Sequence, residues 1–99
     1  MHFEELWTHC ESLSKDSIKD QVTSILIDEI MMKLKLYQIL DSKTEMPSEE
    51  LQSAKSRTLG EILWALTKLS LKDNINVFEA LGSAFQFHSI SHYNQKYPT

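Results

Sequence analysis

IKDQVTSILIDEIMMKLKLYQI, residues 18–39, sets the fold class. Within it Ile18, Val22, Ile25, Glu29, Met32, Leu36 and Ile39 recur at alternating spacings of four and three, the repeat of one face of an α-helix. Leu26, Ile30 and Leu34 widen that face to the breadth a core-facing helix needs. One member of the stripe, Glu29, is charged.

On the N-terminal side, Phe3, Leu6, Trp7, Cys10 and Leu13 keep the same spacing and predict a short first helix over 3–13. Ser14-Lys15-Asp16-Ser17 interrupts it with side chains that compete for nearby backbone hydrogen bonds and favour caps, so the second helix is expected to begin there. On the C-terminal side the stripe ends at Asp41, and residues 42–47 read as a loop because Pro47 disfavours helix in the residue before it. Ser48 is expected to cap a third helix over 49–71. Leu51, Leu59, Ile62, Leu63, Leu66 and Leu69 form its bulky face, and Ala54, Thr58, Glu61 and Ala65 a second face of smaller side chains. After Lys72-Asp73-Asn74, the run Asn76-Val77-Phe78-Glu79 has the form of a capping box, with Ile75 in the staple position. The fourth helix then carries Phe78, Leu81, Phe85, His88 or Ser89 and His92, and ends near Lys96, before Pro98.

A chain of 99 residues, 41% hydrophobic and 24% charged, makes one domain over 1–99. Two glycines and two prolines cannot supply the turns of a many-stranded sandwich or barrel. The expected fold is all-α, a four-helix bundle. At this length folding hides only about two-thirds of the chain's surface, so the wide apolar stripes are expected to be completed by oligomerisation. With a formal charge of −4 and ten basic residues scattered among fourteen acidic ones, the chain lacks the basic stripe that would mark a nucleic-acid partner. The single cysteine, Cys10, forms no internal disulfide and reads as a small buried hydrophobe. There is no basic leader followed by an apolar run, and no stretch near the roughly 20 apolar residues of a membrane span, so a cytoplasmic protein with no membrane partner is expected.

A carboxylate inside an apolar stripe has to be solvated, paired, protonated or bound to a metal. For Glu29 two readings stand: a place at the stripe's edge bonded to a lysine, or an inward cation ligand. Asp28 projects about 100° away around the helix and does not share one ligand site with it unaided. Glu61, between Thr58 and Ala65, lies on the small-residue face, which leaves room for a helix, a water or a ligand. Across two antiparallel helices, Glu29 and Glu61 would form the kind of inward carboxylate pair from which bundles build cation sites. Magnesium often uses only one or two carboxylates together with substrate phosphates and water. His88 and His92 stand one turn apart but lack the remaining ligands of a zinc site, and they suit the C-terminal end of a helix dipole. Trp7 and Trp64 read as core or interface residues, Trp64 lying one turn beyond Glu61.

Leu59-Gly60-Glu61-Ile62-Leu63-Trp64-Ala65-Leu66, then Asn74-Ile75-Asn76-Val77-Phe78-Glu79-Ala80-Leu81, then Asn94-Gln95-Lys96-Tyr97-Pro98 carry a resemblance. In order and spacing they look like the MazG-type branch of the all-α nucleoside triphosphate pyrophosphohydrolases. That family has a helix reading Glu-x-x-Asp-Val-Leu-Trp, a short turn, a helix like Ile-Asp-Leu-Glu-Glu-Ala-Leu and a closing Lys/Arg-Tyr-Pro. The second helix falls where the family's Glu-Glu-x-x-Glu motif belongs. Asp28 and Glu29 match that motif in kind, whereas Met32 takes a ligand position. In the other motif Glu61 stands for the aspartate and Thr58 replaces a glutamate.

The resemblance implies a Mg²⁺- or Mn²⁺-dependent enzyme of nucleotide-pool cleansing that cleaves a nucleoside triphosphate to the monophosphate and pyrophosphate. There the metal acts as template, Lewis acid and activator of water. It implies Glu29 and Glu61 as catalytic metal ligands and Asp28 as an auxiliary metal carboxylate. Lys33, Lys55, Arg57, Trp64 and Lys96 become substrate contacts, the basic ones reading otherwise as a solvated helix face. It also implies a homodimer or homotetramer joined through helix pairing. Met32 offers a soft sulfur and Thr58 a neutral oxygen, so metal binding is expected to be weak or lost. Two functions are therefore in view: a pyrophosphohydrolase of this type, or a catalytically silent helical interaction protein on the same fold.

Overall fold

The computed structural model describes residues 1–96; the closing Tyr97-Pro98 of the family-like motif lies outside the described residues. The described residues form four α-helices and no strand: α1 (Phe3–Ser14), α2 (Thr23–Asp41), α3 (Ser48–Lys72) and α4 (Val77–Lys96). The all-α class read from the 18–39 stripe is the observed one. Among the described residues no helix is long and apolar enough to cross a membrane.

In α1, Glu4 and Glu5 lie in the first turn, where carboxylates favour the positive end of the helix dipole. Trp7 is buried and packs between the rings of Phe3, with centroids 5.9 Å apart, and Phe78, edge-on at 6.5 Å. The second helix starts later than the residue pattern suggests. After α1 the chain runs through hydrogen-bonded turns, with Ser17 and Ile18 donating from the backbone to the Ser14 carbonyl and the Ser17 hydroxyl donating to that same oxygen. This local competition for backbone acceptors delays α2 to Thr23, and Ile18 is buried from a turn rather than from a helix. Cys10 is half-buried.

Helices α2 and α3 form the largest packing contact, and α1 packs on α3. The α2–α3 seam uses only part of the bulky faces. On α2, Leu26 is fully buried and Ile30, Lys33 and Tyr37 flank it, whereas Ile25, Met32, Leu36 and Ile39 of the long stripe are exposed. On α3, Thr58, Ile62 and Ala65 are buried, while Leu59 and Leu63 of the leucine-rich face stand half-open. Small side chains let two helix axes approach closely, so Thr58 and Ala65 pack around Leu26 and Ile62 and leave Leu59 and Leu63 on the shoulder. The cap of α3 also differs from expectation. Pro47 takes the N-cap position, its carbonyl accepting from Leu51 N–H at 2.9 Å, and Ser48 is already helical.

The joint between α3 and α4 is closed at both ends. Asn74 adopts the left-handed conformation (φ 54°), Asn74 N–H donates to the Leu71 carbonyl, and Ile75 N–H donates to the Ser70 carbonyl, the paired bonds of a Schellman C-cap. One residue further on, Asn76 Oδ1 accepts from Phe78 N–H at 3.0 Å and Glu79 N–H at 3.1 Å, the N-cap expected for α4. Ile75 stays half-exposed instead of stapling, because Ala80 at the opposing position is too small and itself exposed. None of the α4 residues is buried. The radius of gyration is 17.0 Å, against about 13 Å for a compact domain of 100 residues.

Candidate functional site

Glu29 and Glu61 do meet across the α2–α3 seam, and a lysine stands between them. Lys33, one turn along α2 from Glu29, places its Nζ 3.2 Å from Glu29 Oε1 and 3.4 Å from Glu61 Oε2, and it also donates to the Glu61 carbonyl at 3.4 Å. From α3, Lys68 Nζ donates to both Glu29 oxygens at 3.1 Å. Burial raises the Glu29 pKa, but hydrogen bonds and charge attraction from Lys68 and Lys33 outweigh it, and the carboxyl is held below its ordinary value. Of the two sequence readings of Glu29, the geometry displays the edge residue bonded to lysine.

The remaining ligand candidates do not join this cluster. Asp28 is exposed on a different side of α2, as its 100° offset requires. Met32 is 70% exposed. The Thr58 hydroxyl is buried and donates to the Ala54 carbonyl of its own helix at 2.9 Å. Among the described residues no group of three or more His, Cys, Asp or Glu side chains comes close enough to share a metal ion, and that includes the exposed pair His88 and His92. The donor set fits Mg²⁺ poorly. A divalent cation between Glu29 and Glu61 would face two ammonium groups that already neutralise the carboxylates, and hard cations are held by uncompensated oxygen charge.

The candidate substrate contacts are dispersed. Lys55 pairs with Asp41 at 2.7 Å and lies over the Tyr37 ring, 5.8 Å from its centroid, tying the end of α2 to α3. Arg57 is exposed beside Ser53 and Ser56 on a shallow outer cleft of α3. Trp64 is half-buried one turn from Glu61, and Lys96 sits in the last turn of α4. Lys68 went unrecognised in the sequence. The signal for it was there, since Lys68 follows Glu61 by seven residues and so shares its helix face.

No family model matches the chain, and no curated protein or solved structure matches it either.

Proposed function

We propose that this chain is a helical interaction protein in which the two glutamates on facing helices fasten α2 to α3 through lysines instead of holding a metal. The observation that carries this reading is the lysine-filled carboxylate pair: Lys33 bridges Glu29 and Glu61, and Lys68 takes both oxygens of Glu29. The exposed leucine, isoleucine, methionine and phenylalanine side chains of α2, α3 and α4 support it, because apolar surface on this scale marks contact with another macromolecule. A cytoplasmic setting and a homo-oligomeric state go with the proposal.

The second reading is the MazG-like pyrophosphohydrolase acting on nucleoside triphosphates with Mg²⁺ or Mn²⁺. One observation favours it: Glu29 and Glu61 stand within reach of a single ammonium group, where displacement of Lys33 would leave two facing carboxylates. Pyrophosphate release from a panel of unmodified and modified nucleotides separates the two. The interaction protein gives no metal-dependent release and no heat of Mg²⁺ or Mn²⁺ binding by calorimetry. Metal-dependent release that Glu61→Gln abolishes would overturn it.

A further inference from the structure

The fourth helix is the least satisfied part of the molecule. Every residue from Glu79 to Ile90 is exposed, including Phe85 at 70% and Phe87 at 67%. Only Glu79 and Lys96 are charged in its twenty residues. Leu81 and Phe85 stand on one side of the helix and Phe87 and Ile90 on the other, at 100° per residue, and a helix that is apolar on opposite sides belongs in a buried setting. The joint fixes its direction: the Schellman turn at Asn74, the Asn76 cap and the Trp7–Phe78 contact leave α4 standing off α2 and α3 of its own chain.

The same chain carries a matching seat. Contacts from Glu29 to Lys68 and from Lys33 to Glu61 identify one flank of the α2–α3 pair as the charged one. The opposite flank then holds Ile27 and Leu34 of α2 with Leu59 and Leu63 of α3, all partly open. A shallow, open groove of about 620 Å³ runs along its α2 side, where Met31, Leu34 and Tyr37 alternate with Lys35, Gln38 and Asp41.

The areas match what a stable pair of copies would bury. The accessible surface is 7948 Å², whereas a compact monomer of 11.5 kDa exposes about 5,800 Å². The excess is about 2,100 Å² per chain, or about 4,200 Å² for two, within the roughly 2,000–5,000 Å² of obligate interfaces.

We propose that α4 of each chain seats on the Ile27, Leu34, Leu59 and Leu63 flank of a second copy, so that two chains exchange their fourth helices. This rests on the interaction-protein reading and names its partner as the chain itself. The test is sedimentation velocity on the full chain and two variants, with helicity followed by circular dichroism. The native chain sediments at twice 11.5 kDa at micromolar concentration. Phe85→Asp and Leu63→Asp each sediment as folded monomers, and mixing the two restores a dimer, because one α4–flank contact of that mixed pair is intact. A dimeric Leu63→Asp beside a monomeric Phe85→Asp means that α4 pairs with α4 and overturns the exchange, as does a monomeric native chain. If a charged variant unfolds, the melting temperature of the native chain still tests the dimer: it rises with protein concentration when two chains associate, and a flat value over a hundredfold range overturns the exchange. A monomer that releases no pyrophosphate removes the exchange and leaves the interaction reading, whereas a dimer with metal-dependent hydrolysis does the reverse.

Discussion

Replacing Lys68 by Met tests whether the Glu29 cluster is a fastening between helices. Lys68 Nζ contributes two hydrogen bonds to Glu29 at 3.1 Å, and the two side chains are 14% and 26% exposed. Exposed ion pairs contribute about 0.2–1 kcal/mol, and breaking a buried one costs about 3–5 kcal/mol. A pair with one partner a quarter in water falls between them, at about 1–2 kcal/mol, the more so because Lys33 still neutralises Glu29 in the variant. For a domain of this size that lowers the melting temperature by about 5–15 °C. The loss depends on pH in a fixed direction. The folded pKa of Glu29 is depressed, so the stabilisation is fully present above the unfolded glutamate value of about 4.3. It fades as pH falls through the still lower folded pKa. Urea denaturation of native chain and Lys68→Met at one protein concentration should therefore give a clear gap near neutral pH that closes in strong acid. The double cycle with Glu29→Gln should return a coupling of about 1–2 kcal/mol. Equal stability near neutral pH, or a gap that persists unchanged after Glu29 is protonated, would refute the fastening.

Three further substitutions probe other parts of the fold. Leu26→Ala empties a fully buried site at the α2–α3 seam and should cost about 2–5 kcal/mol in denaturant midpoint analysis. Asn76→Ala removes the acceptor for two backbone N–H groups of α4 and should cost about 1 kcal/mol, with fraying of α4 visible as faster amide exchange over its first turn. Gly60→Ala points a methyl group into open space from the middle of α3, with nothing within 4 Å, and should raise stability by about 0.5–1 kcal/mol; a destabilised variant would show that this face is covered in solution.

The helices themselves were legible because their signals are local. The spacing of Phe3, Leu6 and Trp7 gave α1, Pro47 marked the entry to α3, and Asn76 marked the start of α4 within one residue. Glu29 was expected to bond a lysine, and the structure supplies Lys33 at four-residue spacing on the same helix. The start of α2 was misplaced because Ser17 bonds back to Ser14, a choice between two local hydrogen-bond patterns that periodicity does not arbitrate. The sequence places Lys68 on the face of Glu61, but its pairing with Glu29, 39 residues away, is decided only by the packing of α2 on α3.

By itself, then, the sequence determined an all-α chain of four helices with one carboxylate set into each of two facing ones. Only the tertiary structure decided which faces meet. Ile25, Met32, Leu36 and Ile39 of α2 and Leu59 and Leu63 of α3 are as apolar as core residues, yet they stand exposed while Leu26, Thr58, Ile62 and Ala65 fill the seam. Hydrophobic periodicity says that a face has to be covered; the packing of the seam decides which part of it is, and here the shoulders of α2 and α3 and residues 79–90 of α4 stay exposed.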